Sequence, residues 1–232
     1  MSTTEDTQRT AAAGDDPAAV PAHTSEARLA LAASLRRLGN ALVAHQVDDV
    51  VLTDITDRVD ELVPLLEGAP DRPHAFLHQG VDIFSRPPGQ GAPSAPRNAF
   101  PDCIVSGLAN PMGVAARLWR DGEEAVCAVT LGAAFEGAPG RAHGGVVAAL
   151  IDETMGLVLS ITSTPAFTGR LAVTYRAPTP VGEPLEVRAR LARRTGRKMT
   201  ITAELRSAAR LLAEAEGLFI AVDPERFLLA DR

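Results

Sequence analysis

HGGVVAALIDETMGLVLSI, His143–Ile161, is the stretch that decides how this chain folds. After its opening His143-Gly144-Gly145 it is almost wholly apolar, and a helix that is hydrophobic nearly all round has to be buried rather than laid on a surface. The sequence on either side is of another kind. Upstream, Val114–Arg120 and Glu124–Leu131 are β-rich runs flanking Asp121-Gly122, a strong hairpin signal. Downstream, Leu171–Tyr175, Leu185–Ala192, Met199–Leu205 and Leu211–Val222 alternate or run apolar, with turns at PTPVGEP, RTGRK and SAAR. The order β-β-α-β-β-β-β around one helix too hydrophobic to face water predicts an α+β fold, a curved antiparallel sheet wrapped around one long central helix.

Further upstream the periodicity changes again. Leu29, Leu31, Leu35, Leu38, Leu42 and Val43 recur at three- and four-residue intervals, so 26–46 reads as an amphipathic helix. A second helix is expected over 54–67, with Asp54 as N-cap, Ile55, Val59, Leu62, Val63 and Leu66 on its apolar side, Pro64 as a shortening or kinking residue, and Gly68 as its stop. The division this predicts is a disordered tail over 1–24, an N-terminal helical extension over 25–67, a Pro/Gly-rich connector over 68–109, the sheet-and-helix domain over 110–223 and a short tail over 224–232.

Composition narrows the function. A hydrophobic share of 46% with 22% charged residues is that of an ordinary globular chain. A formal charge of -6 and a 4% aromatic share argue against nucleic acid, which asks for a basic face and stacking rings. The start MSTTEDTQRT has acids and no apolar core, and no apolar run is read as approaching the ~20 residues of a membrane span, so a cytoplasmic protein without a membrane partner is expected. Cys103 and Cys127 show no metal spacing and read as small apolar residues, Trp119 reads as core, and His74 and His78 have a zinc-like spacing with no third ligand, so no metal is expected.

Chemistry concentrates at the central helix. Its first N–H groups have no intrahelical partner and lie at the positive end of the dipole, and glycine lets a ligand oxygen approach them. Such donors suit the oxyanion of an acyl-transfer intermediate, and equally a plain loop-to-helix turn. Asp152 and Glu153 then sit mid-helix among apolar residues, where a carboxylate is costly to bury without a partner. Their side chains diverge by about 100° round the helix, so they face different neighbours.

FEGAPGRAHGGVVAALIDETMG resembles the signature of the hotdog-fold acyl-CoA thioesterases, of the phenylacetate-pathway type and the mammalian thioesterase superfamily members. In that pattern a carboxylate follows nine positions after the His of HGG, as Asp152 follows His143. Thr168, LAVTYRAPTPVGEPL, GRKMTITAEL and LLAEAEGLFIAV extend the resemblance over roughly 110–222. It implies the hotdog fold and hydrolysis of an acyl- or aryl-CoA thioester to free acid and CoA. Asp152 would be nucleophile or general base, the Gly144 N–H the oxyanion donor, His143 the residue shaping the turn, and Thr168 a hydroxyl holding the water. Gly145, together with Gly196, Arg197 and Lys198 of the RTGRK turn, would contact the CoA, with Arg193 and Arg194 as further cations. No cofactor is implied beyond the CoA of the substrate. The partners implied are acyl-CoA and further copies of the chain, in a homodimer with shared active sites or a homotetramer. Where relatives carry Asn or Gln six residues before the His, this chain has Gly137, leaving water, Glu136 or Arg141 to make the second contact. Two alternatives stay open: a non-catalytic acyl-CoA-binding module, and a hotdog enoyl-CoA hydratase or dehydratase, which would need a histidine base.

Overall fold

Ser25 opens the first helix: its hydroxyl accepts from Arg28 N at 3.2 Å, and α1 (Glu26–Ala44) follows. The computed structural model describes residues 24–71 and 100–223. Helix α2 (Asp49–Glu67) begins five residues before the expected start, so Asp48 and not Asp54 is its N-cap. Val51 N and Leu52 N both bond to Asp48 O, so the paired valines, poor helix formers by themselves, are held in a first turn. Pro64 neither ends nor shortens α2, which continues to Glu67.

α1 docks by an unexpected face. Ala32 is buried, Arg36 Nη1 donates to Leu108 O and Asn110 O at 2.9 and 2.7 Å, and Asn40 Oδ1 accepts from Ala134 N at 3.2 Å. Leu31, Leu35, Leu38 and Leu42 lie more than a quarter turn round the helix and stay exposed. The apolar stripe that announces α1 is therefore not the side it packs with.

The sheet holds six strands: β1 (Arg117–Asp121), β2 (Glu124–Thr130), β5 (Ala166–Tyr175), β6 (Pro184–Thr195), β7 (Lys198–Ser207) and β8 (Arg210–Ala221). Their spatial order is β1-β2-β6-β7-β8-β5, every pair antiparallel. Gly122, at φ +61°, turns the first hairpin, as its position after Asp121 predicts. Between β2 and β5 come a small two-stranded hairpin, β3 (Glu136–Ala138) with β4 (Arg141–Ala142), and α3 (Gly144–Ile161). The inner face of β6, β7 and β8 presents Val187, Ile201 and Phe219 to Leu150, Ile151, Met155 and Val158 of α3, all of them buried. Each such side chain contributes about 1.5–3 kcal/mol by leaving water. Gly217 makes the closest approach possible, since a Cβ there would stand 2.7 Å from Met155 Sδ.

Two expectations shift. The run beginning at Val114 is not yet strand: Val114 N and Ala116 N bond back to Ile104 O and Val105 O, both at 2.8 Å, which carries buried Val105 from the expected connector into the core. α3 is, by length and composition, sufficient to cross a membrane, contrary to the reading that no run comes near that length. Ten of its 18 residues are buried inside the protein.

Candidate active site

The hairpin β3–β4 delivers the chain to α3. Glu136 Oε1 accepts from Gly140 N at 3.2 Å, which closes the hairpin and occupies one group expected as a stand-in for the missing amide. A Cβ on Gly137 would lie 2.8 Å from His143 Cα, so on this backbone no Asn or Gln side chain fits there. Glycine is what lets the hairpin close on the helix start.

His143 is the N-cap of α3, with φ -63° and ψ 135°, and its Nδ1 accepts from Gly145 N at 3.0 Å. An accepting Nδ1 carries no proton, so the bond assigns the tautomer with the proton on Nε2. The bond also occupies the Gly145 N–H that the sequence assigned to CoA. The Gly144 N–H has no partner among the described residues, while Gly144 O accepts from Tyr175 Oη at 2.7 Å. An open cleft of about 520 Å³ lies here, lined among others by Gly137, Arg141, His143, Gly144, Tyr175 and Thr179. Tyr175, at the end of β5, is a site residue the sequence reading missed, because it reads there as one more strand aromatic.

Asp152 does not line this cleft. It lies eight residues along α3 from Gly144, which is ~12 Å of helix axis. Half-buried, it accepts from Thr168 Oγ1 at 3.0 Å, so the structure brings these two expected residues together. The contact depends on a bulge in β5. Thr168 pairs with Phe219 and Arg170 with Leu218, which leaves Gly169 as the extra residue. Glu153 turns the other way and accepts a 2.5 Å hydrogen bond from the buried Ser106 hydroxyl, tying the 100–113 loop to α3. Cys127, fully buried beside this pair, has its thiol pushed up to about 12, chiefly by burial, with the Glu153 charge adding to it.

The RTGRK turn sits at the other end of the sheet. Gly196 has φ +57°, Arg197 Nε donates to Ala221 O at 2.8 Å, and Arg194 Nη1 donates to Thr164 Oγ1 at 3.2 Å. Thr164 follows the C-terminus of α3, so within one chain these cations and Lys198 stand the whole helix away from His143 and Gly144. Arg193, the remaining cation of this group, lies on β6 and pairs with Thr200 of β7. No cluster of three or more metal-ligating side chains occurs among the described residues, and His74 and His78 lie outside them. Trp119, read as core, is half-buried on β1.

Residues 139–214 match the thioesterase superfamily. The acyl-coenzyme A thioesterase THEM4 of Bos taurus is 33% identical over 109 residues, 46% of this chain and 45% of that protein. The Mus musculus protein of the same name is 36% identical over 94 residues, 40% of each chain. This chain thus spans about half the length of the curated relatives it matches. The crystal structure of RHA08564, a thioesterase superfamily protein, is 26% identical and superposes with a TM-score of 0.70, covering 84% of this chain and 91% of the other. That coverage exceeds residues 110–232, so the likeness reaches upstream of the sheet.

Proposed function

We propose that this chain, whose residues 139–214 match the thioesterase superfamily, hydrolyses acyl- or aryl-CoA thioesters to the free acid and CoA. The observation that carries the reading is a Gly144 N–H at the positive end of α3 that has no partner among the described residues, combined with a carboxylate, Asp152, held by a strand hydroxyl. The donor stabilises the oxyanion that forms when the thioester carbonyl is attacked. Asp152 either takes the proton of the attacking water or attacks itself, giving an anhydride that water then cleaves. In both routes the carbon–sulfur bond breaks and CoA leaves as thiolate and collects a proton; the acid gains its oxygen from water directly, or from the Asp152 carboxylate, which water then replenishes. Thr168 orients the carboxylate.

Each site uses two copies in this scheme. A carbonyl at Gly144 N–H is out of reach of the same chain's Asp152, whereas antiparallel pairing of two α3 helices brings each Asp152 beside the other chain's Gly144. Among the described residues β5 ends the strand order of the sheet, and Tyr175 on it is half exposed, so a two-fold partner has a strand to approach. The same pairing carries the distant Arg197–Lys198 turn toward the partner's cleft, where its cations hold CoA phosphates.

Thiol release from a panel of short, long and aromatic acyl-CoAs tests the activity. Asp152→Asn is expected to fold normally and to lose about 10²- to 10⁴-fold in kcat. Tight binding of acyl-CoA with no thiol released from any member of the panel would overturn hydrolysis in favour of a binding module.

A further inference from the structure

Two consecutive glycines at a helix start bring a cost, since each has access to far more backbone conformations than any other residue. A donor built on them needs holding. In this chain a single peptide group, the one joining Gly144 to Gly145, is held at both ends: its oxygen accepts from Tyr175 Oη at 2.7 Å and its N–H donates to His143 Nδ1 at 3.0 Å. We propose that Tyr175 is a positioning residue, whose hydroxyl fixes this peptide group and so aims the neighbouring Gly144 N–H at the substrate carbonyl. The inference rests on the thioesterase reading and deepens it.

Three observations bear on it. Tyr175 is the single tyrosine of the chain, and its hydroxyl makes its bond to Gly144 O while the residue, lining the cleft, stays about half exposed. A core-packing role would leave that hydroxyl without a purpose, and phenylalanine would serve. A Cβ on Gly144 would come within 3.3 Å of the phenol oxygen, so glycine gives the phenol its closest approach to this backbone. The third observation is parity. Thr168 and Tyr175 are seven apart, an odd number, and in a regular strand they would face opposite sides of the sheet. The bulge at Gly169 adds one residue and restores them to the same side, facing α3. One strand therefore steadies the carboxylate at one end and the oxyanion donor at the other.

Tyr175→Phe keeps the ring and removes the hydroxyl. The expected result is a fall in kcat of about 10- to 100-fold with KM within about twofold of wild type, the mark of a group aimed at the transition state rather than the ground state. The melting temperature should hold within about 2 °C. By amide exchange followed by NMR, the Gly145 N–H should exchange at least about tenfold faster in the variant while amides of β6 and β7 keep their rates. An unchanged kcat, or a loss confined to KM, overturns the proposal. A wild-type protein that hydrolyses no acyl-CoA sinks the thioesterase reading instead, and the hold on the peptide is then decided by Gly145 exchange alone: unchanged protection in Tyr175→Phe overturns it.

Discussion

Asp152 and Glu153 are adjacent carboxylates with different environments, and the difference comes from helix geometry. About 100° of rotation sends one to Thr168 on β5 and the other to Ser106 on the loop before β1. Glu153→Gln should leave kcat within a few-fold of wild type and lower stability in urea by about 1–2 kcal/mol, because the Ser106 hydroxyl exchanges a charged acceptor for a neutral one. Equal loss of activity in Glu153→Gln and Asp152→Asn would show that the reactive carboxylate has been misassigned. Cys127 allows a pH test. Its thiol goes from an ordinary 9.0 to about 12 in the native protein, so the native state keeps the proton longer than the unfolded chain. The stability from this group is complete below pH 9 and is lost as pH climbs from 9 toward 12, at a limiting slope of about 1.4 kcal/mol per pH unit. Cys127→Ala should lack that slope, so the urea-derived stability of the wild type should fall steadily relative to the variant from pH 8.5 to 10.5; parallel profiles would refute it.

At the scale of elements, legibility followed burial. α3 and the strands around it were readable because one face or all faces are apolar, and the Asp121-Gly122 turn because Gly122 takes the left-handed conformation that dipeptide favours. The β3–β4 hairpin was not readable: Gly137, Ala138 and Gly140 give no alternation, and the hairpin exists because Gly137 packs against His143. β5 begins at Ala166 and not at Leu171, since the bulge at Gly169 breaks the alternation by which strands are recognised. The same bulge hid the Thr168–Asp152 contact from any reading by period. α1 misleads in another way, because Leu31, Leu35, Leu38 and Leu42 mark its exposed side while Ala32, Arg36 and Asn40 do the docking. A chain beginning at residue 98 should still melt cooperatively, as α1 gives only Ala32 to the buried interior, with a loss of about 3–5 kcal/mol for the bonds of Arg36 and Asn40. Aggregation without a cooperative melt would show that the two upstream helices belong to the core.

For the whole molecule, the shared site makes a numerical prediction. Gly144→Pro removes the donor N–H; its Cβ would meet the Tyr175 hydroxyl at about 3.3 Å, a contact a small shift of the phenol relieves, and proline suits this first helical position because His143 before it is already extended at φ -63°, ψ 135°. Gly144→Pro and Asp152→Asn should each be nearly inactive alone. With random pairing on co-expression, half the dimers are mixed and each mixed dimer has one intact site, so about a quarter of all sites should recover. Mixed dimers with no recovered activity would refute a site built from two chains. The order of elements has a consequence for how this protein is made. α3 precedes β5, β6, β7 and β8 in the chain, so its 18 mostly apolar residues emerge from the ribosome ahead of the strands that cover them. For that interval the nascent chain displays a segment that length and composition cannot tell from a signal anchor. Until Ala221 has emerged and the sheet can close, that apolar surface stays uncovered and is open to aggregation or chaperone capture.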